Sequence, residues 1–181
     1  TLAAGRATLS DLSGPLGLVI AMRDPGCPGS VKFVARLARL EEHYSALGFG
    51  FLYVNAMPYS TAEEGRREIA EYGFRAPYVV DPSGRIAAEL AAETSTEVFV
   101  LDAARTMQYR GAIDDQYGLG YTKSEPGRRY LVQALEAVAA RRLPEIRATL
   151  APGCYLAVAE PDDGQRSDTV PTWHREVSRI V

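Results

Sequence analysis

The sequence predicts an α/β fold: a central mixed sheet with a parallel core and a terminal antiparallel hairpin, covered by helices on both faces. Three observations predict it. The short apolar runs at 17–22, 51–54, 78–80 and 98–101 lack alternation, as strands buried on both faces require. Segments with a helical stripe separate most of these runs, and strands alternating with helices pack as a parallel core with right-handed crossovers. The last run is followed, after a tight connection, by Met107-Gln108-Tyr109-Arg110, which closes an antiparallel hairpin.

The elements follow in order. Gly17-Leu18-Val19-Ile20-Ala21-Met22 is the first strand. Over 31–47, apolar residues at 33, 34, 37, 40, 44 and 47 paint one stripe of a helix. Phe51-Leu52-Tyr53-Val54 is the second strand. A helix from Thr61 to Tyr72 starts with Thr61 as N-cap and Glu64 three positions on, a capping box. Tyr78-Val79-Val80 is the third strand, closed by the turn Asp81-Pro82-Ser83-Gly84, and Arg85 to Ala92 is a short helix. After the hairpin comes a helix from Pro126 to Arg142. Pro126 suits its first turn, Leu131, Leu135 and Val138 face inward, and Arg141 and Arg142 sit where the dipole favours cations.

The length of 181 residues suits roughly one domain. With 46% apolar and 24% charged residues, the chain is neither disordered nor fibrous. Twenty basic against 23 acidic residues leave a net charge of -3, so no basic excess drives nucleic-acid binding. No apolar run approaches the roughly 18 residues of a membrane span. Two cysteines cannot build a disulfide scaffold or a four-thiolate zinc site, and two histidines, His43 and His174, leave little room for a histidine-rich one. The domain is expected over residues 1–143. Residues 144–171, rich in Pro, Gly, Asp and Ser, read as an extended linker or tail carrying Cys154. In residues 172–181 Thr172 can cap a helix with Trp173, Val177 and Ile180 at helical spacing. These residues read as the start of a truncated following domain, and Thr1 in place of an initiator methionine also reads as an excised piece.

The residue most suited to chemistry is Cys27, in Asp24-Pro25-Gly26-Cys27-Pro28-Gly29-Ser30 between the first strand and first long helix. Pro28 belongs at a first helical position, which puts Cys27 at or next to the N-cap. Backbone N–H groups and the positive helix end there favour a thiolate. A neighbouring dithiol would need a second cysteine where Ser30 stands, so Cys27 acts as a single thiol or with a distant partner. Cys154, in Ala151-Pro152-Gly153-Cys154-Tyr155, is the only candidate. A tail that folds back to Cys27 and an unrelated linker thiol fit the sequence equally well.

Gly26-Cys27-Pro28 followed by Ser30, the strand Glu97-Val98-Phe99-Val100-Leu101-Asp102, the run from Arg110 to Gly118 and Glu125-Pro126 together resemble the redoxin branch of the thioredoxin-like superfamily, of the alkyl hydroperoxide reductase/thiol-specific antioxidant type. The resemblance runs from about Leu16 to Cys154. It implies a thioredoxin-like sheet and a thiol oxidoreductase or peroxiredoxin-like activity acting on protein thiols, disulfides or peroxide, with Cys27 as nucleophile and Cys154 as resolving thiol. In the subgroup it most resembles, an Ala-Pro-Gly-Cys tail is followed by a segment like Thr172-Trp173-His174-Arg175-Glu176-Val177 that opens a c-type cytochrome domain, and some relatives carry a copper monooxygenase-like domain. The resemblance therefore implies an exported or periplasmic protein, with no cofactor in this piece and haem c in the domain that follows.

The sequence departs from that pattern at several positions. Thr96 stands where thioredoxins place a cis-proline. A cis bond there would cost about 2.5–4 kcal/mol, so a trans bond and an altered substrate groove are expected. Asp24 replaces a threonine three residues before the peroxidatic cysteine of peroxiredoxins, and a carboxylate beside a thiol raises the thiol pKa. Arg110 is the nearest candidate by strand register for an activating arginine. Asp114 and Asp115 read as turn residues or ion-pair partners of an arginine such as Arg110, Tyr117 and Tyr121 as a packed surface loop or docking surface, and His43 as solvated. A copper chaperone would want two cysteines and a histidine near Cys27, where this chain has one cysteine. The alternative to a thiol redox domain is a redox-inactive module that docks an adjacent cytochrome or copper domain, towards which Thr96, Asp24 and Ser30 lean.

Overall fold

A computed structural model describes residues 8–156. The elements are α1 (Leu9–Leu12), β1 (Gly17–Met22), α2 (Pro28–Leu47), β2 (Phe49–Asn55), α3 (Ala62–Tyr72), β3 (Tyr78–Val80), α4 (Arg85–Glu89), β4 (Val98–Asp102), β5 (Met107–Gly111), β6 (Tyr117–Gly118), β7 (Tyr121–Thr122) and α5 (Tyr130–Ala139). The five-stranded sheet has the order β3-β2-β1-β4-β5. β1 is central. It pairs in parallel with β2, Val19 opposite Phe51, and antiparallel with β4, Val19 opposite Val100. β3 extends the parallel side and β5 the antiparallel side.

Every residue of β1 is buried, which is why its sequence shows no alternation. Val19 and Ala21, with Tyr53, Val98 and Val100, pack on one face against Phe33 and Leu37 of α2 and Leu131 and Leu135 of α5. Leu18, Ile20 and Met22, with Leu52, Val54 and Phe99, pack on the other against Ala87 of α4, with Leu9 and Leu12 of α1 beside them. The order of strands and helices thus makes a sheet with two separate cores.

The helix signals act as their chemistry requires. Pro28 occupies the start of α2, where its missing N–H costs nothing. Thr61 and Glu64 form the reciprocal capping box of α3. The helix expected over 126–142 is shorter. The N–H of Arg128 donates to Oδ1 of Asp115 at 2.8 Å, and that of Leu131 to the Ile113 carbonyl at 3.0 Å. These contacts tie the preceding turn to the loop after β5, so the helix starts at Tyr130. It stops at Ala139, and Arg141 takes a positive φ of 54°. α4 likewise ends early, before Ala91 at φ 49°. The four residues of α1 are too few to leave a periodic signal.

Two buried carboxylates bind the helices to the sheet. Glu68 of α3 forms an ion pair with fully buried Arg23 and accepts from the Tyr78 hydroxyl at 2.7 Å. Glu41 of α2 accepts from the Tyr53 hydroxyl at 2.9 Å and from the N–H groups of Arg75 and Ala76. Burial, reinforced by these carboxylates, pushes both tyrosine hydroxyls far above their ordinary range.

Of the segment 144–171, the residues up to 156 are described, and they are fastened to the domain. The N–H of Arg110 donates to Arg147 O and the N–H of Thr149 to Arg110 O, at 3.0 and 3.1 Å. Thr149 Oγ1 accepts from the Ala112 N–H at 2.9 Å. A Cβ on Gly111 would lie 2.3 Å from the Thr149 carbonyl, so only glycine lets the tail approach. Residues 172–181, read as the start of a further domain, lie outside the described residues, as does His174. No helix among the described residues is long and apolar enough to cross a membrane.

Candidate functional site

β1 ends at Met22, whose N–H donates to Glu97 O, and the next N–H, of Arg23, crosses to Val54 O. The chain then turns sharply. Oδ1 of Asp24 accepts from the Gly26 N–H at 2.9 Å, the turn an aspartate makes with the amide two residues on. The Cys27 N–H donates to Asp24 O at 3.0 Å. Cys27 is the N-cap of α2, its side chain makes no capping hydrogen bond, and it is only 2% exposed. The sulfur is therefore held at the positive end of a 20-residue helix.

Ser30, in the place of a second cysteine, is a fastener. Its hydroxyl accepts from the Asp24 N–H at 3.1 Å and donates to the Ser95 carbonyl at 3.2 Å, tying the helix start to the segment before β4. That segment receives the tail. The Ser95 N–H donates to Cys154 O at 2.9 Å, the Leu156 N–H donates to Glu93 O at 3.0 Å, and Thr94 pairs antiparallel with Tyr155. The Cys154 N–H lies 3.2 Å from both Ser95 Oγ and Cys27 Sγ.

Residues 154–156 thus lie antiparallel along 93–95 through a single isolated bridge, and Cys154 is disulfide-bonded to Cys27 with their Cα atoms 6.0 Å apart. The two alternatives left open by the sequence are decided here: the tail folds back. Gly153 makes the approach feasible. A Cβ there would meet Thr96 Cγ2 at 3.1 Å and Ser95 Oγ at 3.2 Å, and its φ of 153° is one that side chains rarely adopt. On the helix side Gly29 faces Gly153, and a Cβ on it would make only an ordinary contact, 3.4 Å from Gly153 Cα.

The remaining candidates are placed as follows. Thr96 is 1% exposed beside Gly153, its peptide bond is trans as expected, and its Oγ1 has no hydrogen-bond partner. Arg110 lies on β5. Its guanidinium donates to Glu97 Oε1 and the Ala91 carbonyl and lies over the Phe99 ring, so it belongs to a structural pair on β5. Asp114 pairs with Arg36 rather than with Arg110, and Asp115 with Lys123. Tyr117 and Tyr121 sit on the small β6–β7 hairpin, with Tyr117 edge-on to Phe33. His43 is exposed, its ring edge-on to Tyr44.

Sequence reasoning missed the part Asp24 plays, along with Ser95, Gly153 and Tyr59. The Tyr59 hydroxyl donates to Asp24 Oδ2 at 2.9 Å, and burial together with that bond raises its pKa. Only the Pro-Gly-Cys run advertised Gly153. The others depend on contacts between segments far apart in the chain.

No protein-family model matches the sequence, and no curated protein matches it. Solved structures do. An uncharacterized conserved protein from Geobacillus kaustophilus superposes with a TM-score of 0.72 at 23% identity, over 84% of this chain and 82% of that one. A thioredoxin-like protein solved in its oxidized form superposes with a TM-score of 0.60 at 17% identity, covering 76% and 87%. A secreted Mycobacterium tuberculosis disulfide oxidoreductase, homologous to E. coli DsbE, gives 0.54 at 16% identity, covering 74% and 92%. The chain has the thioredoxin-like fold. Within it, the cysteine at the start of α2 is bonded to a cysteine on the tail.

Proposed function

We propose that the chain is a thiol–disulfide redox domain in which Cys27 and Cys154 cycle between disulfide and dithiol. The observation that carries this reading is the Cys27–Cys154 bond at the N-terminus of α2, with the Cys154 N–H directed at the Cys27 sulfur. Reduction begins at Cys154, which is half-buried while Cys27 is covered. A donor thiolate attacks Cys154 Sγ, forms a mixed disulfide there and displaces Cys27 as a thiolate. The helix end and the Cys154 N–H receive that charge. A second donor thiol then releases Cys154 and leaves as the oxidised donor.

In the other direction, the Cys27 thiolate attacks a low-molecular-weight disulfide, expelling one thiolate, and Cys154 displaces the second. The resemblance in residues 172–177 would make a c-type haem or copper domain the adjoining electron partner. A lasting disulfide suits an exported location.

Incubation of the reduced chain with oxidised glutathione tests the reading. Wild type should resolve to the internal disulfide, and Cys154→Ser should accumulate a glutathione adduct on Cys27. A chain whose two thiols stay unmodified while native would overturn it and leave the docking module standing.

A further inference from the structure

We propose that the reduced pair Cys27 and Cys154, together with Asp24, binds one thiophilic divalent cation of the zinc type. The proposal uses the dithiol state of the reading above, but not its turnover. Asp24 is 1% exposed, and its carboxylate is met by two neutral donors, the Gly26 N–H and the Tyr59 hydroxyl. Among the described residues no lysine or arginine forms an ion pair with it. Arg23, next in the chain, is committed to Glu68 and the Ser30 carbonyl, and Arg110 to Glu97. A buried carboxylate with no cation is costly and calls for an explanation.

One carboxylate oxygen of Asp24 and the two sulfurs all lie within 4.8 Å of one another. While the disulfide is closed, the sulfurs carry no charge. An external dithiol that reduces it becomes a cyclic disulfide and leaves two thiols in its place. The site then holds three acidic ligand groups and no positive side chain. A divalent cation replaces the two thiol protons, which pass to solvent, and gives the buried carboxylate a cation to bind directly, while the net charge of the site is unchanged.

The ligand set selects the cation. Two thiolates exclude hard ions such as calcium and magnesium, and a carboxylate with two thiolates suits a borderline ion that accepts four ligands. Zinc–sulfur bonds of about 2.3 Å in a tetrahedron set the sulfurs about 3.8 Å apart. The separation comes from the tail, which carries no side chain at Gly153. The fourth position is left to a solvent water.

The test uses the whole chain, reduced and freed of reductant under argon, with zinc titrated against a chromogenic chelator. The proposal expects one equivalent bound by the reduced chain, none by the oxidised chain, and protection of both thiols from alkylation. Asp24→Asn should weaken binding by at least about tenfold while its disulfide still forms. X-ray absorption of the zinc-loaded wild type, which needs no variant to fold, should show two sulfur neighbours and lighter atoms.

Equal binding by the reduced and oxidised chains, an unchanged affinity in Asp24→Asn, or a zinc shell of four sulfurs would overturn the proposal. Alkylation without metal counts the thiols separately, so its failure would leave the redox reading intact.

Discussion

The backbone N–H of Cys154 stands 3.2 Å from the sulfur of Cys27. The residue that closes the disulfide therefore also supplies a donor for the thiolate formed when it opens, for as long as the tail stays seated. Three further contacts seat the tail: the Ser95 N–H to Cys154 O, the Leu156 N–H to Glu93 O, and the Thr94 hydroxyl to Ala151 O. Opening the disulfide does not by itself remove them, so the redox equilibrium and the docking of residues 151–156 are coupled.

Gly153→Ala tests that coupling. The new Cβ would press on Thr96 and Ser95 at 3.1–3.2 Å in a backbone conformation that suits glycine. A strain of about 1–3 kcal/mol falls on the seated tail. In a glutathione redox buffer the variant should shift towards the dithiol by about fivefold or more. An unchanged ratio would mean that the tail re-seats freely.

The disulfide closes a sequence separation of 127 residues. A bond across so long a loop restricts the unfolded chain strongly, and typical values are about 2–4 kcal/mol. The oxidised chain should therefore resist denaturant better than the Cys27→Ser/Cys154→Ser double variant by about that amount. Coincident denaturation curves would show that the bond adds no net stability.

Glu68→Leu should cost about 3–5 kcal/mol, because it strands the fully buried Arg23 guanidinium. Arg23 also donates to the Ser30 carbonyl at 2.9 Å, at the start of the helix that carries Cys27. The loss should therefore appear both in a thermal melt and as faster alkylation of Cys27 in the reduced chain.

Asp115 and Lys123 give the stability a pH signature. The Lys123 hydrogen bond, then the Arg128 N–H, hold the Asp115 carboxyl below its ordinary 3.8, and the same side-chain bond raises Lys123 above 10.5. The Asp115 contribution is fully present above 3.8 and is lost as pH falls through its lower folded value. The Lys123 contribution is present below 10.5 and is lost as pH rises through its higher one. Lys123→Met should lower the denaturant midpoint at neutral pH, and the difference should vanish in acid. A difference that persists below the Asp115 titration would assign the effect to lost packing on Tyr121 instead.

The sequence by itself determined the sheet strands, the capping box at Thr61 and Glu64, and the position of Cys27 at the start of α2. Each depends on residues within a few positions of one another: runs without alternation, a threonine and a glutamate three apart, a proline after a cysteine. Only the tertiary structure decided that Cys154 reaches Cys27, that Asp114 pairs with Arg36, and that Arg110 belongs to Glu97. It also decided that the last helix waits until Tyr130, because the Arg128 amide is taken by Asp115. These outcomes depend on which distant segments the order β3-β2-β1-β4-β5 brings side by side. Local pattern encodes how a segment is built, but the partner it meets is set by chain reversal and packing across the whole sheet.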